Sequence, residues 1–274
     1  MKDLFDDVSF RISKLTTKAY STSFSLGIKV FNKRFHNPVY GIYGFVRLAD
    51  EIVDTFHDHN KDKLLQRFKK DTYEAIDERV SLNPVLNSFQ LVVNSYGIEK
   101  ELIDTFLHSM EMDLNKTAYD KTEYERYILG SAEVVGLMCL RVFLEGDNDK
   151  YTELKDHAMS LGSAFQKINF LRDISSDYNT LGRTYFPDID INNFNDTERQ
   201  SIEEDIEKDF RHGFEGINKL PLTVRRGVFV AYIYYYSLFK KIRKTSTSVL
   251  LRRRVRISNF RKYWLLLVAF IKTI

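Results

Sequence analysis

Cysteine is nearly absent from this 274-residue chain. Cys139 stands alone, so neither an internal disulfide nor a thiolate zinc site can form, and a reducing compartment is expected. Proline occurs four times, at 38, 84, 187 and 221, which leaves long stretches free to run as helix. Only 12 glycines exclude a collagen-like chain, and 21 Phe with 16 Tyr exclude a disordered one. There is no Gly-rich phosphate loop, dinucleotide fingerprint, internal repeat or Asn-Gly hairpin signal. No acidic side chain follows Glu215, although 14 Lys or Arg do. Residues 1–215 therefore carry 27 basic against 38 acidic groups. The basic remainder points to an anionic partner: a membrane surface, a nucleic acid or a phosphorylated ligand. The acidic opening, residues 1–11, lacks an apolar signal core, which predicts no export.

What is present is enough apolar mass for a sizeable core, 43% of residues, in a chain that is also 29% charged. Ile98, Leu102, Ile103, Phe106, Leu107, Met110 and Leu114 recur at helical spacing. Residues 134–144 and 228–239 are apolar nearly all round, which predicts two central helices. Loops are expected near 33–38, 81–84, 115–121, 145–149 and 179–196. The reading is one all-α domain over residues 1–274. The last apolar run, 263–271, is about half of the ~20 residues that a bilayer span needs. It is expected to lie on a bilayer or dock on the core.

Six Asp-xxx-Asp pairs occur, at 3/7, 50/54, 54/58, 58/62, 173/177 and 205/209. Charged helix faces produce this spacing freely, so spacing alone selects none of them, and Asp205/Asp209 read as a solvated face. Two pairs differ in their surroundings. Asp50 and Asp54 end a mostly apolar helix that begins near Pro38. Asp173 and Asp177 extend a polar stripe through Gln166 and Asn169 on a helix otherwise carrying Leu161, Phe165, Ile168 and Leu171. Residues four apart share a helix face, so each pair offers two carboxylates in one direction. Carboxylates buried in apolar segments require cations or donors. An all-oxygen set suits Mg²⁺ or Mn²⁺, which fill their shells with water and phosphate oxygens. Arg47, Arg172 and Arg183 flank the pairs, and guanidinium forks match phosphate. Two readings stay open on these features: a diphosphate clamp, or structural ion pairs.

Four blocks resemble the squalene/phytoene synthase family, the head-to-head trans-isoprenyl diphosphate synthases. They are TyrSerThrSerPheSer at 20–25, ArgLeuAlaAspGluIleValAsp at 47–54, the stretch from 110–114 through 124–138, and GlnLysIleAsnPheLeuArgAspIleSerSerAsp at 166–177 with GlyArgThrTyrPhePro at 182–187. The resemblance implies a helical bundle around a deep apolar cavity with the acidic motifs facing each other at its mouth. It implies that Asp50, Asp54, Asn169, Asp173 and Asp177 hold magnesium, directly or through bound diphosphate. Ser21, Thr22, Ser23, Arg47, Gln166 and Arg172 would line the diphosphate sites, with Arg254 and Lys262 reaching in from the last helices. Tyr43, Tyr127 and Tyr235 would stand near the reacting ends, where phenols and ring faces stabilise cations.

The implied activity joins two C20 prenyl diphosphates to phytoene through a cyclopropyl diphosphate, for carotenoid synthesis. C15 coupling to dehydrosqualene or squalene is the alternative, and an inactive relative serving in assembly is a further one. No nicotinamide cofactor is expected, because nothing in the sequence would cradle it. The expected partners are prenyl diphosphates, an anionic membrane surface on the cytoplasmic side and downstream carotenoid enzymes. The net acidic first 215 residues argue against nucleic acid. Three features depart from the family pattern: Glu51 follows Asp50, Ser176 precedes Asp177, and the spacer from Asp177 to Gly182 is one residue longer than the commonest form, which leaves the role of Arg183 open. His57 and His59 read as solvated, Cys139 as an inert core thiol, and Glu111 and Asp113 as cavity-rim or helix-surface groups.

Overall fold

Helix after helix follows the spacing of apolar residues. The computed structural model describes residues 1–178, 182–187 and 189–258, leaving aside the side chains of Thr22, Ser23, Asn115 and Asn192. Lys262 and the apolar run 263–271 lie outside the described residues. Twelve α-helices are described: α1 (Lys2–Tyr20), α2 (Thr22–Ile28), α3 (His36–Asp54), α4 (Lys61–Glu78), α5 (Pro84–Tyr96), α6 (Lys100–Asn115), α7 (Lys121–Ile128), α8 (Val134–Leu144), α9 (Asn148–Ser176), α10 (Asp196–Lys219), α11 (Leu222–Arg243) and α12 (Thr247–Leu250). No strand occurs among the described residues; Ala118 and Thr184 form one isolated bridge.

Local chemistry sets the boundaries. Asn83 accepts from the Val85 and Leu86 amides, Pro84 opens α5, and Gly97 closes it in the left-handed conformation at φ 62°. Reciprocal capping boxes, Asp120 with Glu123 and Asn195 with Glu198, start α7 and α10. Ile98, which fits the helical pattern of α6, lies in the turn before it.

A π-helical turn, Leu129–Glu133, joins α7 to α8 into one helical run. The run Lys121–Leu144 is long and apolar enough to cross a bilayer, yet it packs between α6 and α9 as an inner helix. The π turn sits close to both neighbours because a glycine stands at each contact, Gly130 within the turn and Gly162 opposite it. A Cβ on Gly130 would lie 2.6 Å from the Thr105 carbonyl of α6, and one on Gly162 of α9 would lie 2.7 Å from the Ala132 carbonyl.

Two apolar clusters flank a hollow. One gathers α3, α4, α5, α6 and α8, with Phe45 stacked on Phe89 at 3.9 Å. The other gathers α9, α10, α11 and residues 185–194, with Phe170 stacked on Tyr185 at 4.0 Å. Residues 228–239 prove to be a wall rather than a central helix: Val228, Ala231, Tyr235 and Leu238 face the cavity, while Tyr236 turns away to donate to Glu207. The Asp205/Asp209 pair is corrected as well. It reaches from α10 to the nearly buried Lys167 of α9, with Asp209 Oδ2 at 2.8 Å, so its task is to pin two helices.

Candidate active site

The cavity has a volume of about 890 Å³ and runs along α9. Leu154 and Asp173 both line it, and the axial rise between them is about 28 Å. Every described side chain in the sequence-derived site lines this one space: Ser21, Tyr43, Arg47, Asp50, Asp54, Tyr127, Gln166, Asn169, Arg172, Asp173, Asp177, Tyr235 and Arg254. Thr22 and Ser23 lie in the first turn of α2, which Ser21 caps by accepting from the Phe24 amide. Arg254 arrives from a non-helical segment after α12 rather than from a final helix.

The two acidic motifs meet through arginine. Arg183 donates from Nη1 to Asp54 Oδ1 at 2.9 Å, while its backbone amide donates to the Asp177 carbonyl at 3.1 Å. The end of α3 and the end of α9 are thus one arginine's length apart. Arg183 thus reaches the first acidic motif across the longer spacer. Its Nη2 also donates to the Asp113 carbonyl at 2.8 Å, and its guanidinium lies 3.6 Å from the Asp113 carboxylate. Arg47 holds Asp50 at 2.5 Å and also pairs with Glu51, so the departure from Asp-Asp gives Arg47 a second anchor. Arg172 grips Asp173 with two bonds, at 2.9 and 2.5 Å, and Arg254 adds contacts at 2.6 and 3.0 Å. Asp173 therefore carries two guanidinium groups.

Crowded carboxylates in a desolvated space keep their protons to higher pH than usual. Burial, with the Asp54 charge beside it, pushes Asp50 up to about 7 despite Arg47. Burial, then Asp173 and Asp54, pushes Asp177 up to about 7. Asp50 lines the cavity beside Asp54 and Arg47. Burial likewise raises the Tyr43 phenol to about 12, although the nearby Arg47 and a hydrogen bond with Ser21 oppose it, which keeps Tyr43 neutral and protonated. Tyr235 stacks on Phe165 at 4.1 Å and is raised by burial. The Tyr127 hydroxyl is already committed, donating to Asp113 Oδ2 at 2.6 Å.

Asp113 is the site group that the sequence reading undervalued. It is 5% exposed, lines the cavity and accepts from Tyr119 at 3.0 Å as well as from Tyr127. Burial lifts it to about 6, against the lowering effects of Arg183 and the tyrosines. A signal existed: Asp113 follows Phe106 and Met110 at helical spacing, on the apolar face of α6. Glu111, by contrast, pairs with Lys69 and Gln66 on the outside. His57 and His59 are exposed, and burial pushes the Cys139 thiol up to about 12.

The donor set fits a hard cation. All five proposed ligands, Asp50, Asp54, Asn169, Asp173 and Asp177, offer oxygen. Asn169 Oδ1 is buried without a hydrogen-bond partner, an acceptor that a cation or a donor would satisfy. Among the described residues, however, no three of these carboxylates are drawn together as tightly as the ligands of one ion. That arrangement suits Mg²⁺ shared between one or two carboxylates and phosphate oxygens rather than an all-protein cage.

This helical bundle, with paired acidic helices at one end of an apolar cavity, is an isoprenoid-synthase fold. The squalene/phytoene synthase family model matches residues 17–261, and the chain belongs to that family of prenyltransferase-type enzymes. It is 26% identical over 203 residues to the 4,4'-diapophytoene synthase of Staphylococcus haemolyticus, covering 70% of this chain and 65% of that one, just under two thirds of the relative's length. It is 25% identical over 279 residues to the phytoene synthase of Arthrospira platensis, covering 89% and 87%. A crystal structure of a dehydrosqualene synthase in complex with ligand superposes with a TM-score of 0.82 over 98% of both chains at 22% identity, a likeness of fold.

Proposed function

We propose that the chain couples two geranylgeranyl diphosphates head to head, through a cyclopropyl (prephytoene) diphosphate, to phytoene in carotenoid synthesis. The observation that carries this reading is the single cavity that joins paired carboxylates and arginines to an apolar tunnel along α9. Asp50, Asp54, Asn169, Asp173 and Asp177 would hold Mg²⁺, with Mn²⁺ as a substitute. Once bound, the ion would supply Lewis-acid withdrawal of charge from the leaving diphosphate.

The chain's own residues account for the rest. Arg47, Arg172 and Arg254 neutralise Asp50 and Asp173 in the free protein and turn their forks to phosphate oxygens when substrate arrives. Ser21 and Gln166, with Thr22, Ser23 and Lys262 as further members, donate to the same diphosphates. The first C–O bond breaks and diphosphate leaves with the electron pair. The allylic cation then alkylates the double bond of the second substrate, and loss of a proton to the departed diphosphate closes the cyclopropane. That product releases its own diphosphate, rearranges and gives up a second proton to form phytoene. Tyr43 and Tyr235 present neutral phenols and ring faces to these cations. Apolar walls exclude the water that would quench them. No nicotinamide takes part in this scheme. Exposed Lys240, Lys241, Lys244, Arg252 and Arg253 support docking on an anionic cytoplasmic membrane face, close to the lipid substrates and to downstream carotenoid enzymes.

A second reading couples two farnesyl diphosphates to dehydrosqualene or squalene. The matches to a diapophytoene synthase and to a dehydrosqualene synthase fold favour it. Incubating the purified chain with C15 or C20 diphosphate and Mg²⁺, with and without NADPH, separates the readings by hydrocarbon analysis. Phytoene is the expected product, without NADPH. A C30 hydrocarbon from the C15 substrate alone would replace the first reading with the second. No hydrocarbon from either would reject both coupling readings and favour an inactive family member.

A further inference from the structure

At a different level of the bundle, α9 and α10 bring together His157, His212 and Glu215. One ring nitrogen of each histidine and one Glu215 oxygen lie within 4.8 Å of one another. The two rings are 4.3 Å apart between centroids. His157 Nδ1 lies 2.8 Å from the His212 carbonyl and donates to it, and His212 Nδ1 lies 2.8 Å from Ser160 Oγ. His157, donating from Nδ1 to a carbonyl, presents Nε2 as a lone pair, which is how metal-ligating imidazoles are oriented, and His212 does the same when its Nδ1 donates to Ser160 Oγ. Gly216 makes the approach possible: a Cβ there would fall 2.3 Å from the His157 Cβ.

We propose that His157, His212 and Glu215 form a site for a divalent ion of the zinc class that clamps α9 to α10. Imidazole nitrogens select zinc over magnesium, and two histidines with one carboxylate leave a fourth position for water. Zinc at about 2.1 Å from each ligand needs those atoms roughly 3.4 Å apart, a separation within the 4.8 Å span of the trio. Glu215 is exposed, so its side chain can adjust to an ion without disturbing the core. Lys219 Nζ is 3.4 Å from His157 Nε2 and 3.3 Å from Glu153 Oε1, so an arriving cation shifts Lys219 onto Glu153. His157 precedes Asp173 on α9 by an axial rise of about 24 Å, which separates this site from the paired carboxylates.

Calorimetric titration of Zn²⁺ into the full chain in magnesium-free buffer tests the site. Wild type and Asp173→Asn should each take up one tightly bound ion. His212→Ala and Glu215→Gln should weaken it at least tenfold. Glu215 is exposed, so the second variant does not depend on refolding of a core. Co²⁺ should give the visible absorption of a tetrahedral site in wild type and lose it in both variants. Equal zinc affinity in wild type, His212→Ala and Glu215→Gln, or no uptake by wild type, overturns the proposal.

Discussion

Asp113 shows how one buried side chain can organise several others. It receives Tyr119 and Tyr127, and it faces Arg183, which in turn holds Asp54. Removing a buried partner costs more than the pair contributes, because the remaining charge has no water to replace it. Arg183→Ala should therefore destabilise the protein by about 3 kcal/mol, measured by denaturant unfolding. A loss below about 0.5 kcal/mol would mean that water reaches Asp113 and Asp54. Asp113→Asn should lower turnover about tenfold or more without shifting the Mg²⁺ concentration needed for half-maximal rate, since the change acts through the position of Tyr127. A shift in magnesium demand would instead make Asp113 a ligand. Sequence reading reached the flanking arginines but undervalued Asp113, because a lone carboxylate in a helix gives no hint of tyrosines and an arginine that converge from other segments.

The helices themselves were legible: apolar spacing, few prolines and good caps each act locally. What joins them was less so. Lys167 meets Asp205 and Asp209 only because α10 folds back along α9, and the motif reads equally well as a solvated face. The π turn packs closely through Gly130 within it and Gly162 facing it from α9, so Gly162→Ala should cost about 1–3 kcal/mol through the clash with the Ala132 carbonyl. An unchanged melting temperature would show that the seam can open without loss. Glu133, in the same turn, is raised from 4.5 to about 7 by burial and by Asp209, with Lys167 opposing. The folded state thus holds this proton after the unfolded chain has released it. Stability contributed by the neutral group is present below about 4.5 and is lost as pH rises through about 7. Relative to wild type, Glu133→Gln should be neutral at pH 4 and stabilising by the order of 2 kcal/mol at pH 8. Equal stability of the two proteins at both pH values would contradict this.

Across the whole molecule, charge is divided between an acidic body and a basic end. Anionic vesicles should bind the chain at roughly 1 kcal/mol for each basic group near the surface, and rising salt should release it. Sedimentation insensitive to ionic strength would count against this docking. The layout of the candidate site was legible because its two acidic motifs are each local in sequence, and folding had only to bring α3 and α9 to opposite sides of one cavity. The length of prenyl chain that the cavity accepts was not legible, since its far end is assembled from Phe31, Phe143, Leu154 and Leu220, contributed by separate segments. The central claim is that carboxylates on both helices act together on one diphosphate through shared cations. Its most direct test is the Mg²⁺-dependent release of diphosphate from prenyl diphosphate by wild type, Asp50→Asn and Asp173→Asn, each checked for native helicity by circular dichroism. Loss of at least a hundredfold in both variants is the predicted result. Turnover near the wild-type rate in either folded variant would contradict it.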